Sequence, residues 1–360
     1  MKYLRTMNHD LYGIKKLLLF SNDNNYSSVA VHSLFRDSCL MLYEIIKVLR
    51  NDGVLKGDIP IYKKIEPIRH KVKSSQGKNN RDILNNILNV HFNLFGEDID
   101  NLGFYLDQGE LVGSTIYVTY VLDNTPFFNS INSGQIIKGF SEEIGQNIAD
   151  IINTIQQPLL IPSKNILCTN EPDYDLKDVW HKRFFTEDIT LNVCLMRLLI
   201  IQNEISSCLW IEKHLDYNVK EFSLEKYLLL RLSSIKFYQT MENLIDIKDR
   251  APQYYSSLGL NDLDIILVQY KNYLRKECKI LRNLLHYSNN QINFFEYVTE
   301  NIEKNNVYVD NLLQTVLLEF FPKIKSEISK SLNISSIESM SDWEKIKRRI
   351  WTKFKSRKKL

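Results

Sequence analysis

Glycine and proline are scarce in this chain, 12 and 8 among 360 residues. With so few breakers, long uninterrupted helices are expected. Cysteine is sparse and scattered: Cys39, Cys168, Cys194, Cys208 and Cys278 are odd in number and far apart, mostly inside apolar helical patterns. Such spacing fits neither a disulfide framework nor a zinc site, and reads as buried free thiols in a reducing cytosol. No stretch approaches the ~20 apolar residues that span a bilayer. The short apolar patch at 17–20 lacks the h-region and cleavage site of a secretory leader. A cytoplasmic protein without a transmembrane segment is therefore expected. Also missing are a Gly-rich phosphate loop, a GxSxG elbow, an HExxH helix and a clustered Cys/His set, so neither cofactor nor metal is expected. His181 with Asp175 and Asp178 comes nearest to a metal patch, but no second histidine stands at a useful spacing.

What is present is length enough for two domains, each able to bury its own core. The fold class expected is mostly all-α. One helical bundle occupies 1–157, a Pro-containing linker (Pro158, Pro162, Pro172) occupies 158–176, a second bundle 177–335 and a basic amphipathic tail 336–360. In the first half, 27–50 carries Val31, Leu34, Phe35, Leu42, Ile45, Ile46 and Leu49 at helical spacing and stops at Asn51-Asp52-Gly53. Over 112–122 the β-branched and aromatic run leaves a short strand, an irregular segment or a buried helix equally open. The second half is more regular, with helical periodicity over 189–215, 222–247, 261–287, 294–303 and 307–330.

The segment 261–287, NDLDIILVQYKNYLRKECKILRNLLHY, carries the chemistry. At helical spacing Leu267, Tyr270, Leu274, Cys278, Leu281 and Leu285 form the packing face, while Lys271, Arg275, Lys279, Arg282 and His286 form a basic stripe. Arg282 and His286 stand four apart, within reach of one phosphate if the helix continues. A histidine near neutral pKa can take the proton of a ribose 2′-hydroxyl or deliver one to the departing 5′-oxygen. A guanidinium can hold the non-bridging oxygens as charge builds on them. Asn283 could position the phosphate, and Tyr287 could stack or hydrogen-bond. The plain alternative is a solvated Arg282 and a His286 favoured by the helix dipole.

Arg282-Asn283-Leu284-Leu285-His286, near the end of a long helix in a bundle, resembles the motif of the HEPN superfamily. That resemblance, over roughly 189–300, implies an all-α, metal-independent endoribonuclease of a defence or toxin–antitoxin type system such as phage defence. It also implies a composite Arg/His site across a homodimer, with Arg282, Asn283 and His286 catalytic, and an antitoxin or regulatory protein as partner. A longer spacing is usual in the family; three residues separate arginine and histidine here. The alternative is a non-catalytic helical module that binds RNA or protein.

Beside the catalytic trio, Lys271, Arg275, Lys279 and Tyr287 are candidate RNA contacts. The first half is a candidate degenerate HEPN-like unit, in which Arg69 and Lys71 could contact phosphate or simply form a solvated face. Charge is concentrated at the end of the chain. Nine Lys or Arg against Asp342 and Glu344 give residues 341–360 a charge of +7, leaving −4 for the rest of a chain whose net charge is +3. With Trp343, Ile346, Ile350 and Phe354 along one side, this tail suits nucleic acid first, through Lys347, Arg348 and Arg349, and an anionic membrane surface second.

Overall fold

The computed structural model describes residues 3–23, 28–57, 59–74, 80–95, 101–122, 133–164, 174–217, 220–288 and 291–357. The chain is mostly α-helical, as its shortage of breakers predicts. Its first half contains α1 (Tyr3–Asp23), α2 (Ser28–Asn51), α3 (Pro60–Ser74) and α4 (Asn80–Phe95), then strands β1 (Leu102–Asp107) and β2 (Glu110–Ser114), then α5 (Thr115–Leu122) and α6 (Ser133–Ile155). After β3 (Asp175–Val179) come α7 (His181–Phe184), α8 (Ile189–His214), α9 (Leu224–Arg250) and α10 (Pro252–Ser257). A long broken helix follows: α11 (Asp264–Gln269), a π-helical stretch at Tyr270–Leu274 and α12 (Arg275–Asn283). Next are α13 (Phe294–Lys304), then α14 (Tyr308–Leu313) and α15 (Phe321–Leu332) around a second π stretch, and α16 (Asp342–Arg357).

The axis of the fold is α8. Its sequence is apolar enough to cross a membrane, yet 83% of its most apolar window is buried inside the protein, so it is a core helix. Helices α2, α4, α5, α9 and α15 and strand β2 pack around it. Asp188 starts α8 by accepting from the backbone N–H groups of Thr190 (2.9 Å) and Leu191 (3.1 Å). Ser223 caps α9 in the same manner, through Lys226 N–H. The expected stop of α2 is present: Gly53 adopts φ 71°, and Gly53 N–H and Val54 N–H return to the carbonyls of Arg50 and Leu49. This is the Schellman arrangement, which needs a residue tolerant of left-handed backbone.

The ambiguous stretch resolves into both structures that its composition allowed. Residues 110–114 are strand and 115–122 are helix. The two strands β1 and β2 form a hairpin turned by Gln108 (φ 51°) and Gly109 (φ 84°), the two positive-φ residues that a tight hairpin turn requires. Strand β3 adds antiparallel to the other side of β1, giving the order β2-β1-β3. Helix α5 is buried on nearly every side, which is why no amphipathic period marked it.

The apolar core is continuous from Tyr3 to Ile334, crossing the expected 158–176 boundary. The first part of that segment is stapled to both halves. Asn8 on α1 donates to the carbonyls of Gln157 (3.0 Å) and Pro158 (3.3 Å). His9 on the same helix accepts from Leu160 N–H at 3.2 Å, and Leu224 N–H donates to the Pro162 carbonyl at 2.9 Å.

Two closed ionic networks join the halves within this core. In one, Asp10 of α1 receives Arg231 of α9, with both side chains fully buried. In the other, Arg36 and Asp37 of α2 meet Glu204 of α8 and Lys236 of α9, with Ser33 and Tyr117 completing the hydrogen bonds. Each network is neutral in sum, the condition under which buried charge is tolerated. Cys39, Cys194, Cys208 and Cys278 are buried free thiols, and burial raises the pKa of each. Cys168 lies outside the described residues.

Candidate functional site

The packing face read from 261–287 is the buried face. Leu267, Tyr270, Cys278 and Leu281 are buried, and Leu274 and Leu285 are half-buried. No side chain caps the start of this helix. Gly259 adopts the left-handed conformation (φ 70°), and a 3-10 turn at Leu260–Leu263 leads into α11. The π stretch then inserts at Tyr270–Leu274 and shifts the register of everything after it.

The helix is shorter than its periodicity predicts. It stops at Asn283 instead of continuing to Tyr287. Leu284 N–H bonds back to Ile280, and Leu285 and His286 close looser turns onto Arg282 (3.3 Å) and Asn283 (3.4 Å). Arg282 and His286 therefore flank a turn and do not stack on one helical face. The cause is long-range: Arg231 donates to the Leu284 carbonyl at 2.9 Å, and Tyr287 donates to Asp10 at 2.7 Å, drawing the chain out of helical geometry.

Tyr287, expected to stack on or bond to RNA, is buried, and burial next to Asp10 holds its phenol well above the ordinary range. It anchors the turn. Arg275, expected on the phosphate stripe, is clamped by Glu242 of α9 through two bonds, Nε to Oε1 at 2.9 Å and Nη2 to Oε2 at 2.7 Å. That hydrogen-bonded pair raises the arginine's pKa. Lys271 and Lys279 are exposed.

The turn presents three polar side chains. Arg282 is half-buried, its Nη1 donates to Asn283 Oδ1 at 3.3 Å, and its Nε has no hydrogen-bond partner among the described residues. Asn283 is exposed. The His286 side chain is 61% exposed, yet its Nδ1 stands 3.3 Å from Oε2 of Glu44, a carboxylate of α2 that is only 8% exposed. A near-buried carboxylate within reach of Nδ1 restrains the orientation of an exposed imidazole. Glu44 was missed in the sequence. The available signal was a charged residue inside an otherwise apolar helical face, which must find a partner when buried.

The remaining candidates lie elsewhere. Arg69 and Lys71 fall on α3, but their side chains lie outside the described residues. Lys347 and Arg349 are exposed on α16, whereas Arg348 is half-buried with its guanidinium carbon 5.9 Å from the Trp180 ring centre. His181 is held by Asn101, which accepts from both its backbone N–H (3.1 Å) and its Nδ1 (2.9 Å). Burial, and then Arg348 and Lys182, lower its pKa to about 4. Among the described residues no group of three His, Cys, Asp or Glu is placed to hold a metal ion. Comparison with protein-family models, with curated proteins and with solved structures found no match.

Proposed function

We propose that this chain is a metal-independent endoribonuclease whose acid–base group is His286, with Arg282 stabilising charge on the phosphate and Asn283 positioning it. The observation that carries the reading is the Glu44–His286 contact at 3.3 Å beside the Arg282–Asn283 pair. Nδ1 donating to Glu44 keeps the Nε2 lone pair available for the 2′-hydroxyl proton, and the carboxylate stabilises the imidazolium that forms. The 2′-oxygen then attacks phosphorus and the 5′-oxygen leaves, giving a 2′,3′-cyclic phosphate. One histidine supplies half of an acid–base pair, so a second copy of the chain supplies the other half across a twofold axis. Ile265, Val268 and Tyr273, exposed on α11 and the π stretch, offer apolar surface for such a contact. A defence role with a regulatory protein partner rests on the family resemblance alone.

The second reading, a non-catalytic helical module that binds RNA or protein, is favoured by the end of α12 at Asn283. It leaves the arginine and histidine on a turn with only three residues between them. Incubating the purified protein with a mixed RNA pool in EDTA separates the two. Cleavage that leaves cyclic phosphate ends and is lost in Arg282→Ala and in His286→Ala supports the nuclease. Retention of RNA without turnover, or cleavage indifferent to both changes, leaves the binding module.

A further inference from the structure

Helix α16 is mounted with its polar side inward. Ser341 and Glu344 start it as a capping box: Glu344 N–H donates to Ser341 Oγ at 3.2 Å, and Ser341 N–H donates to Glu344 Oε2 at 2.9 Å. The residues it turns to the body are Glu344, Lys345 and Arg348, all half-buried. Glu344 meets Arg183 at 2.9 Å, Lys345 meets Asp178 at 3.5 Å, and Arg348 lies over Trp180. Just before the helix, Met340 N–H donates to the Asp178 carbonyl at 2.8 Å. At about 100° per residue, the opposite side carries Trp343, Ile346, Ile350 and Phe354, with Trp351 at its edge. These five are 68%, 46%, 50%, 61% and 66% exposed.

An amphipathic helix on a globular protein ordinarily buries its apolar stripe and wets its charges. Here the arrangement is reversed. The apolar strip runs for roughly 17 Å along the helix at 1.5 Å per residue, too contiguous for scattered surface hydrophobes. Lys347 and Arg349 border it, exposed, in a segment whose charge is +7 while the rest of the chain is −4.

We propose that α16 is a docking surface for an anionic phospholipid bilayer, on which the helix lies in the plane of the headgroups. Isoleucine and phenylalanine would enter the acyl boundary, the indoles of Trp343 and Trp351 would sit at headgroup level, and the flanking cations would meet lipid phosphates. Charge complementarity selects this occupant. A second copy would bring two +7 segments together. RNA would satisfy the cations, but it would leave Ile346 and Ile350 at the centre of the strip in water, since aliphatic side chains offer no ring for a base to stack on. The polar contacts to Arg183, Asp178 and Trp180 hold the strip outward, so docking requires no rearrangement of the body.

The test uses the full chain with vesicles of phosphatidylcholine alone and of phosphatidylcholine mixed equally with phosphatidylglycerol, read by co-sedimentation. Binding is expected to the mixed vesicles only. It should be abolished by Ile346→Ser with Ile350→Ser, and weakened about tenfold or more by Lys347→Gln with Arg349→Gln. Ile346 and Ile350 are exposed, so the thermal midpoint of the serine pair should be unchanged, which separates lost docking from lost folding. Equal binding to both vesicle types overturns the proposal, as does binding that survives the serine pair. It is also overturned if the protein ignores both vesicles while the serine pair either releases a bound RNA or turns a dimer into a monomer.

Discussion

Arg231 and Asp10 form a bidentate ion pair closed off from solvent, with Nη2 2.8 Å from Oδ2 and Nε 3.2 Å from Oδ1. The guanidinium also lies over Phe294, 4.5 Å from the ring centre, and its Nη1 holds the Leu284 carbonyl in the middle of the candidate site. Tyr227 and Tyr287 each donate to the carboxylate at 2.7 Å. A buried pair that has lost one member leaves an uncompensated charge, which costs about 3–5 kcal/mol. Asp10→Ala and Arg231→Ala should each lower the unfolding free energy by about that amount in urea titrations. Asp10→Leu combined with Arg231→Met should cost less than either. A double variant that loses the sum of the two would show that the pair is not acting as a unit.

The Glu44–His286 contact makes a second, separable prediction. Glu44→Gln keeps the shape of the side chain but removes the charge that stabilises an imidazolium. Under the nuclease reading, the RNA cleavage rate should fall about 100-fold, in the range of general acid–base contributions. A rate drop accompanied by a lowered thermal midpoint would assign Glu44 a structural role only.

Acid stability rests on different groups. His91 is buried, its Nε2 meets Thr115 Oγ1 at 2.6 Å, and its Nδ1 has no hydrogen-bond partner among the described residues. Burial, and then His181, lower its pKa from 6.5 to about 3. Between those values the unfolded chain takes up a proton that the folded protein refuses, so stability is lost as pH falls below 6.5. From pH 7 to pH 5 this single group should cost about 2 kcal/mol. His91→Gln, which can still bond Thr115, should flatten that slope in thermal melts. Glu204 behaves oppositely: burial alone would raise it, but Arg36 and Lys236 prevail and lower its pKa from 4.5 to about 2. Its contribution is complete above 4.5 and fades only as pH falls toward about 2. A stability loss confined to pH below 4 would assign the acid sensitivity to carboxylates instead of His91.

How much of this was legible in the chain depends on how local its cause is. Helix α8 was readable to within one residue at each end and α9 to within two or three, because period and caps are set by neighbours within a turn or two. The stop of α2 was readable because Gly53 is a local signal. The end of α12 was not, because Leu284 and Tyr287 are drawn away by Arg231 and Asp10, 53 and 277 residues distant in the chain. The hairpin left a signal in Gln108-Gly109 that apolar periodicity passed over. Arg36, Asp37, Glu44, Glu204, Arg231 and Lys236 all interrupt apolar helices and are all buried. Charges in such positions announce partners across the fold without naming them, so the networks were detectable in the sequence while their pairing required the structure.

The basic residues of the π stretch and α12 differ in how far they are already neutralised. Lys271 and Lys279 are exposed, whereas Arg275 between them is already paired with Glu242. If this face contacts phosphate, each exposed lysine releases counterions when RNA binds, but the arginine is neutralised before the RNA arrives. Replacing Lys279 by Gln should weaken RNA binding uniformly across sequences and reduce the slope of log K against log salt by about 0.7–1. Lys271→Gln should do the same. Arg275→Gln should leave the slope nearly unchanged and instead cost about 0.5 kcal/mol of stability, the worth of a half-exposed ion pair. Filter binding over a salt series distinguishes these outcomes. An arginine variant that lowers the slope as much as the lysine variants would mean that RNA displaces Glu242, and that the pair opens on binding.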